Sequence, residues 1–264
     1  MSKNHQICPK FCLKWGNFRH KNLHFTYICV ASGNKNSTLD NRVTMANQTI
    51  NSLNKKIKSC QKCPRLATYI RDVAKNKVRR FQDETYYGRP LSGFGDIKAK
   101  LLIVGLAPAA HGGNRTGRMF TGDSSGDWVA KVMHKTGFAN ISTSQTSNDG
   151  LTLTNAYITA AVRCAPPQNK PTKEEMQNCF SFLEQEFQIL SNVTTILCLG
   201  KIAYDATCKL LEVKPGKFGH NQLFQYEDIQ VITSYHPSKQ NTQTGRLLWK
   251  DWYAVFKRAK KITK

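Results

Sequence analysis

The feature that most constrains the fold is a regular alternation of short apolar runs with longer amphipathic segments. Four runs have the length and composition of buried strands, and they are residues 100–105, 155–163, 195–200 and 229–235. Helical patterns precede, separate and follow these runs, at residues 50–58, 66–81, 128–136, 172–190, 202–211 and 247–260. Strands that alternate with helices favour a parallel sheet covered on both faces. The sequence therefore predicts an α/β fold with three α/β/α layers and a central, mostly parallel sheet of four strands.

The long loops fall where such sheets bind ligands, outside the carboxyl ends of the strands. They follow Gly105, Arg163 and Tyr235. The first loop reaches Asp123 and is rich in glycine, so its backbone N–H groups can face an anion or a carbonyl. It lacks the Lys and the Ser/Thr with which a P-loop holds phosphate and magnesium. A nucleotide hydrolase is therefore discounted, and an ordinary surface loop is the alternative.

The 264-residue chain carries a large excess of positive charge. It has 39 Lys and Arg against 17 Asp and Glu, a formal net charge of +22. This excess is more than solubility needs, and it indicates a polyanionic partner, most simply nucleic acid. A basic surface without a partner is the alternative, and an acidic membrane surface would also attract such charge. No segment approaches the ~20 apolar residues of a membrane span, which excludes an integral membrane protein.

Residues 1–45 differ from the rest of the chain, because they are basic, contain no acid before Asp40 and show no clear periodicity. Three interpretations are open: a targeting arm, a start codon assigned too early with Met45 as the true first residue, or a disordered tail. The last two are favoured, since Ser is sparse for a transit peptide. The predicted organisation is thus an extension over residues 1–45 and one domain over residues 46–264.

The nine cysteines do not form a disulfide pattern, because they are spread over a long chain without short, regular spacing. Together with the absence of a hydrophobic signal core, this predicts a reducing, intracellular compartment. Cys198 and Cys208 lie in a predicted strand and a predicted helix and are assigned to the core. Cys8, Cys12 and Cys29 lie in the extension and have no assigned role.

Four other cysteines are candidates for a metal site. Cys60 and Cys63 form a C-x-x-C pair, in which one turn of chain brings both thiolates to the same point. Cys164 and Cys179 flank the loop and helix start after the second strand. Four thiolates suit a [4Fe–4S] cluster or a tetrahedral zinc ion. Because the second pair lacks close spacing, small buried hydrophobic side chains are an equal alternative.

Three stretches of the chain resemble the motifs of family 5 (type B) uracil-DNA glycosylases. They are Gly105–Asp123, Thr159–Pro171 and Ser234–Arg246. The family's four cluster ligands are matched in order and context by Cys60, Cys63, Cys164 and Cys179. The resemblance runs from about Asn51 to the C-terminus and is specific, because three long motifs and four cysteines agree together. It implies a DNA glycosylase with a [4Fe–4S] cluster.

The chemistry that the resemblance implies needs a carboxylate and a hydrogen-bond donor, because cleavage leaves positive charge on the sugar and negative charge on the base. Asp123 is the one acid in the three motifs, and the resemblance favours catalysis over an equally plausible helix N-cap. His236 is positioned to hydrogen-bond the base O2, although a lone histidine is more often structural. Asn169 matches a family residue implicated in catalysis, and a turn residue between prolines is the alternative.

The resemblance also implies a pocket for the base. Phe120 would stack on the flipped base, as its family counterpart does, or would simply belong to the core. Backbone groups from Leu106 to Ala109, including Ala107, would contact the base edge. Ala160 stands where the related type A enzymes carry an Asn whose amide reads uracil. A methyl group cannot make that hydrogen bond, so we predict looser base choice that includes hypoxanthine and xanthine alongside uracil.

The last loop is the candidate for contacts with the DNA backbone. Ser238, Lys239 and Arg246 suit phosphate groups, and one of the residues from Lys239 to Asn241 could probe the space left by the base. A solvated basic loop is the alternative. The lysine-rich N-terminal half of the chain would supply salt-dependent, non-specific attraction to DNA.

Together these observations predict a monofunctional glycosylase of base-excision repair, which leaves an abasic site because no Lys is an obvious Schiff-base nucleophile in the motifs. We expect a monomer whose partner is double- and single-stranded DNA with deaminated bases, with no membrane association. We expect it in the cytoplasm of a bacterial or archaeal cell, at the nucleoid. The competing class is a non-catalytic, iron–sulfur-stapled nucleic-acid-binding module, which would need neither Asp123 nor His236.

Overall fold

The structure, a computed structural model, describes the backbone of residues 35–264 and the side chains from residue 45 onward. Cys8, Cys12, Cys29 and most of the predicted extension lie outside the described residues. The first helix, α1, is Lys35–Lys58 and begins well before the predicted residue 50. Among residues 35–264, none of the helices combines the length and the apolar character that a membrane crossing requires.

The described residues form six strands and eight α-helices. The strands are β1 Phe94–Gly95, β2 Leu101–Gly105, β3 Ala156–Ala160, β4 Thr195–Leu199, β5 Gln222–Tyr226 and β6 Ile229–Ser234. The helices after α1 are α2 Pro64–Asn76, α3 Gly113–Thr116, α4 Ser124–Lys135, α5 Lys173–Ile189, α6 Lys201–Leu210, α7 Lys239–Gln243 and α8 Trp249–Ile262.

The strands form one sheet in the order β1-β3-β2-β4-β6-β5. The inner four strands are parallel, and they are the four that the sequence predicts. The outer two, β1 and β5, are antiparallel to their neighbours. The predicted α/β class with a mostly parallel sheet is confirmed, and the number of strands is corrected from four to six.

The two additional strands have no continuous apolar run that could have predicted them. Strand β1 is only two residues long. Strand β5 exposes Gln222, Leu223 and Gln225 at the edge of the sheet, whereas β2, β3 and β4 are buried along their whole length. Antiparallel edge strands can face water, so their sequences resemble those of loops.

Helices cover both faces of the sheet, because the side chains of β2 point alternately to the two faces. Leu101 and Ile103 pack against α4 and α8 on one face of the sheet. Leu102 and Val104 point to the opposite face and pack with side chains of α1, α5 and α6. Because successive side chains of a strand alternate between faces, one apolar strand supports both outer layers. The three-layer prediction is confirmed.

A fully buried ion pair joins the loop after β3 to α5. The guanidinium of Arg163 donates to both carboxylate oxygens of Glu186, over 3.0 Å and 2.5 Å, and the two side chains are 1% and 0% exposed. Glu186 also accepts hydrogen bonds from Thr159 Oγ1 and from the backbone N–H of Gly93. The network therefore ties the carboxyl end of β3 to α5 and to the segment that leads into β1.

We expect Glu186→Leu to lower the free energy of unfolding by about 3–5 kcal/mol, because it leaves the Arg163 charge buried without a partner. The control is Asp205→Asn, which breaks the exposed Lys201–Asp205 pair and should cost at most about 1 kcal/mol. Urea denaturation measures both values. Equal, small losses in the two variants would contradict the structural importance of the buried pair.

Candidate active site

Two small residues at the carboxyl ends of β2 and β3 shape the floor of the site. Gly105 and Ala160 are opposite each other in the parallel register, and both are buried. The ring of Phe120 lies directly against Gly105, where a Cβ atom would be 2.9 Å from the Phe120 Cζ atom. A larger residue at position 105 would therefore push the ring away from the end of the sheet.

The backbone of Phe120 is also closely packed. Its φ of 50° lies in the left-handed region, which non-glycine residues rarely adopt. Its carbonyl oxygen is so close to Gly126 that a Cβ atom there would overlap with it. Such strain persists only where the surrounding structure enforces it. The glycines at positions 105 and 126 thus fix the ring predicted to stack on a base.

The imidazole of His236 faces the ring of Phe120. Their ring centroids are 5.9 Å apart, and the planes are tilted by 31°. His236 follows β6, and the side-chain amide of Asn241 donates a 2.8 Å hydrogen bond to its carbonyl oxygen. Burial of the imidazole lowers its pKa to about 4. The side chain is therefore neutral near pH 7 and can donate one hydrogen bond without carrying charge.

Asp123 is the N-cap of α4, and its two carboxylate oxygens have different surroundings. Oδ1 accepts a 2.9 Å hydrogen bond from the backbone N–H of Gly126. Oδ2 lies against Gly112, with no room for a Cβ atom between them. Burial raises the pKa of the carboxyl, while the N–H groups of Gly126 and Ser125 act in the opposite direction. The N-cap interpretation is thus correct, and it leaves Oδ2 for a second role.

Asn169 is placed differently from the other two predicted catalytic residues. It lies in an exposed 3₁₀ turn, Pro167–Asn169, and its φ is 56°. Among the described residues, its side chain makes no hydrogen bond to Asp123 or His236. Arg65 anchors the turn by donating to the carbonyl oxygen of Lys170, over 3.3 Å. Its predicted catalytic role therefore depends on substrate reaching the turn.

Backbone hydrogen bonds fix the segment from Leu106 to Ala109, which is predicted to contact the base edge. The carbonyl oxygen of Leu106 accepts from the N–H of Val162 over 2.9 Å. The carbonyl oxygen of Ala109 accepts from the N–H of Asn114 over 3.0 Å. Ala107 packs in the apolar cluster that surrounds the cysteines. The segment is therefore rigid next to Ala160.

The predicted phosphate-contacting residues lie on the β6 side of the site. Ser238 is the N-cap of α7, and its Oγ accepts a 3.4 Å hydrogen bond from the N–H of Asn241. Lys239 is exposed at the first position of that helix. The guanidinium of Arg246 lies over the ring of Tyr235, 4.5 Å from the centroid. The loop is therefore partly ordered and presents positive charge.

Arg115 is a residue of the site that the sequence does not single out. Its guanidinium donates to the carbonyl oxygens of His111 and Gly122, over 2.8 Å and 2.7 Å, and pairs with Glu84. It also lies over the ring of Phe81, 3.8 Å from the centroid. The side chain thereby fixes both ends of the loop that carries Phe120. The feature of the sequence that could have indicated this role is an arginine within a glycine-rich loop.

Three of the four candidate cysteines lie in one cluster beside this site. Cys63, Cys164 and Cys179 belong to one apolar cluster, and Cys60 precedes α2. Burial raises the pKa of those three thiols, and the charges of neighbouring thiolates, including that of Cys60, raise it further. Asn178 Nδ2 donates to Cys63 Sγ over 3.6 Å. Within residues 35–264, no group of three or more ligating side chains is gathered as a single ion would require.

Comparison with known proteins identifies the family. Residues 92–259 match the family model described as the uracil DNA glycosylase superfamily. A type-5 uracil-DNA glycosylase of Mycobacterium leprae is 44% identical over 220 residues, which are 81% of this chain and 96% of that protein. The chain belongs to the type-5 family of this superfamily.

Other relatives agree with this assignment. A type-5 uracil-DNA glycosylase of Pyrobaculum aerophilum is 42% identical over 201 residues, covering 76% of this chain and 88% of that protein. A type-4 uracil-DNA glycosylase of the same organism is 27% identical and covers 72% of this chain. Family membership assigns the chain to the hydrolases of N-glycosidic bonds, and the alternative of a non-catalytic binding module has no support.

We expect Gly112→Ala to reduce base excision by roughly 100-fold, because the new methyl group displaces Asp123 Oδ2, and a shift of about 1 Å in a catalytic group can cost that much. Gly150→Ala is the control, since nothing lies within 4 Å of a Cβ atom there. Single-turnover kinetics with folded protein measures the effect. A Gly112→Ala enzyme as fast as the control would contradict the close contact.

Proposed function

We propose that the protein flips uracil out of DNA and hydrolyses the bond between base and sugar, leaving an abasic site for repair. The observation that carries this proposal is that the Phe120 ring packs against Gly105 and His236 at the carboxyl ends of the parallel strands, and that Asp123 follows Phe120 on the same loop. The chain's membership of the type-5 family supports the choice of uracil and of DNA.

Each of the three side chains has a role that fits its environment. A base within a duplex cannot be reached, so it must be extruded into the pocket, where the Phe120 ring offers it a stacking surface. The Asp123 carboxylate stabilises positive charge on the sugar and orients or deprotonates water. The neutral imidazole of His236 donates a hydrogen bond to the base as negative charge develops on it.

The pH dependence of excision tests these roles. The raised pKa of Asp123 predicts that the rate falls with decreasing pH at values above an ordinary Asp pKa of about 3.9. Asp123→Asn should lose about 10²–10⁴-fold in rate and also lose this acid limb, while DNA binding persists. His236→Asn should be slower than wild type but should keep the limb, because His236 is already neutral there.

Single-turnover rates between about pH 4 and pH 8 measure these effects, with the melting temperature as the control for folding. Two outcomes would contradict the assignment. One is an Asp123→Asn enzyme with the wild-type rate. The other is a wild-type limb near the ordinary His pKa of about 6.5 that disappears in His236→Asn.

We further propose that the pocket accepts hypoxanthine and xanthine as well as uracil. Ala160 supports this, because its buried methyl group lies opposite Gly105 and offers the base no hydrogen bond. Ala160→Asn should raise the ratio of uracil excision to hypoxanthine excision, since the amide can read the uracil edge. Ala160→Val is the control for size alone. An unchanged ratio in the Asn variant would refute the proposal.

We propose that Cys60, Cys63, Cys164 and Cys179 hold a [4Fe–4S] cluster, which would be a structural crosslink between α2 and the loop after β3. Three of these cysteines share one apolar cluster, and four cysteine thiolates are the usual ligand set of a [4Fe–4S] cluster. Cys179→Ser should lose iron and acid-labile sulfide together, whereas Cys208→Ser, a buried cysteine of α6, should keep both. Equal iron and sulfide contents in the two variants would contradict this ligand set.

A further inference from the structure

A groove of about 640 Å³ lies outside the pocket described above, between the end of α1, helix α2 and residues 86–90. We call it the α2 groove. Small and aliphatic side chains of α2 line it, namely Ala67, Ile70 and Ala74. Helix α2 therefore presents a smooth surface here, onto which a flat or extended ligand can fit.

Four cations surround this groove: Lys55, Lys58, Arg71 and Arg89. All four are exposed, and no carboxylate lines the groove. Among the contacts of the described residues, none of these four side chains makes a salt bridge or a hydrogen bond. Four positive charges without a paired carboxylate repel one another. The groove therefore attracts a polyanion, which would relieve this repulsion.

Other cations of the same region are used differently. Arg65 pairs with Glu175, Arg115 with Glu84 and Arg163 with Glu186. Each of these guanidinium groups donates to a carboxylate within the fold. The contrast separates structural cations from the groove cations, whose donors face solvent.

The α2 groove also contains aromatic rings. Tyr86 and Tyr87 line it, and Tyr87 is half-buried with its ring against Gly117, where a Cβ atom would be 3.1 Å from the ring. Cations beside aromatic rings are the usual surface for a nucleic-acid strand, because the cations follow the phosphates and the rings meet bases or sugars.

The α2 groove is next to the candidate active site. Asn114 Nδ2 donates to the carbonyl oxygen of Ile70, and the N–H of Tyr87 donates to that of Arg115. Helix α3, which contains Asn114 and Arg115, begins directly after Gly112, against which Asp123 lies. The groove thus flanks the site on the β3 side, and the loop from Ser238 to Arg246 flanks it on the β6 side.

We propose that the α2 groove binds the phosphodiester backbone of the damaged strand on one side of the flipped nucleotide. This inference rests on the proposed function, because it extends the path of the same DNA strand across the protein. The loop after β6 would hold the strand on the other side of the pocket. The two basic surfaces together would span the site where the base is extruded.

A triple variant, Lys58→Gln, Arg71→Gln and Arg89→Gln, tests the proposal. The matched control is Lys98→Gln, Lys261→Gln and Lys264→Gln, which removes three exposed cations near the amino ends of the strands. We expect the groove variant to bind uracil-containing duplex at least tenfold more weakly, with kcat within twofold of wild type. The slope of log Kd against log salt should fall by about 0.9 for each phosphate that the variant no longer neutralises.

Single-stranded substrates of different length add directional information. Adding nucleotides on one side of the uracil should tighten DNA binding by the wild-type protein but not by the groove variant. Adding nucleotides on the other side should tighten DNA binding by both proteins. Equal affinity and salt slope for the groove and control variants would overturn the inference, as would equal losses with both flanks. A wild-type protein that releases no uracil would instead refute the proposed function itself.

Discussion

The candidate site depends on the absence of side chains at three glycines. Gly105, Gly112 and Gly126 allow the Phe120 ring, the Asp123 carboxylate and the Phe120 carbonyl to lie against bare backbone. A methyl group at any of these positions would meet an atom at 2.9 Å or less. The parallel sheet provides a flat edge, and the glycines let the loop fold down onto it. The position of both functional side chains follows from this close packing.

The same packing sets the electrostatics of the site. Burial removes water from His236 and Asp123 and disfavours the charged form of each, which lowers the pKa of the imidazole and raises that of the carboxyl. The helix N-terminus opposes this effect at Asp123, because its N–H groups stabilise the carboxylate. The imidazole is therefore neutral near pH 7, as the proposed hydrogen bond to the departing base requires. Oδ1 of Asp123 caps the helix, and Oδ2 is the oxygen that the proposed chemistry would use.

Much of this arrangement could be predicted from the sequence, since apolar runs that end in glycine or polar loops mark the carboxyl ends of parallel strands. Phe120 and His236 face each other because both follow such ends. Strands β1 and β5 could not be predicted, because exposed antiparallel edges leave no apolar run. The contact between Gly112 and Asp123 and the hydrogen bonds of Arg115 depend on the folded path of the loop, which no sequence period encodes. The sequence also could not predict that Asn169 is exposed, because the same local sequence fits both a turn residue and a pocket residue.

We expect this site to cleave a base from its sugar and to leave the strand intact. Base release from a duplex oligonucleotide that contains a single uracil tests this expectation. Free uracil should appear in solution, and the strand should break only after alkali treatment. Iron-replete, folded protein that binds this DNA and releases no uracil would refute the proposed function, and so would strand cleavage without alkali.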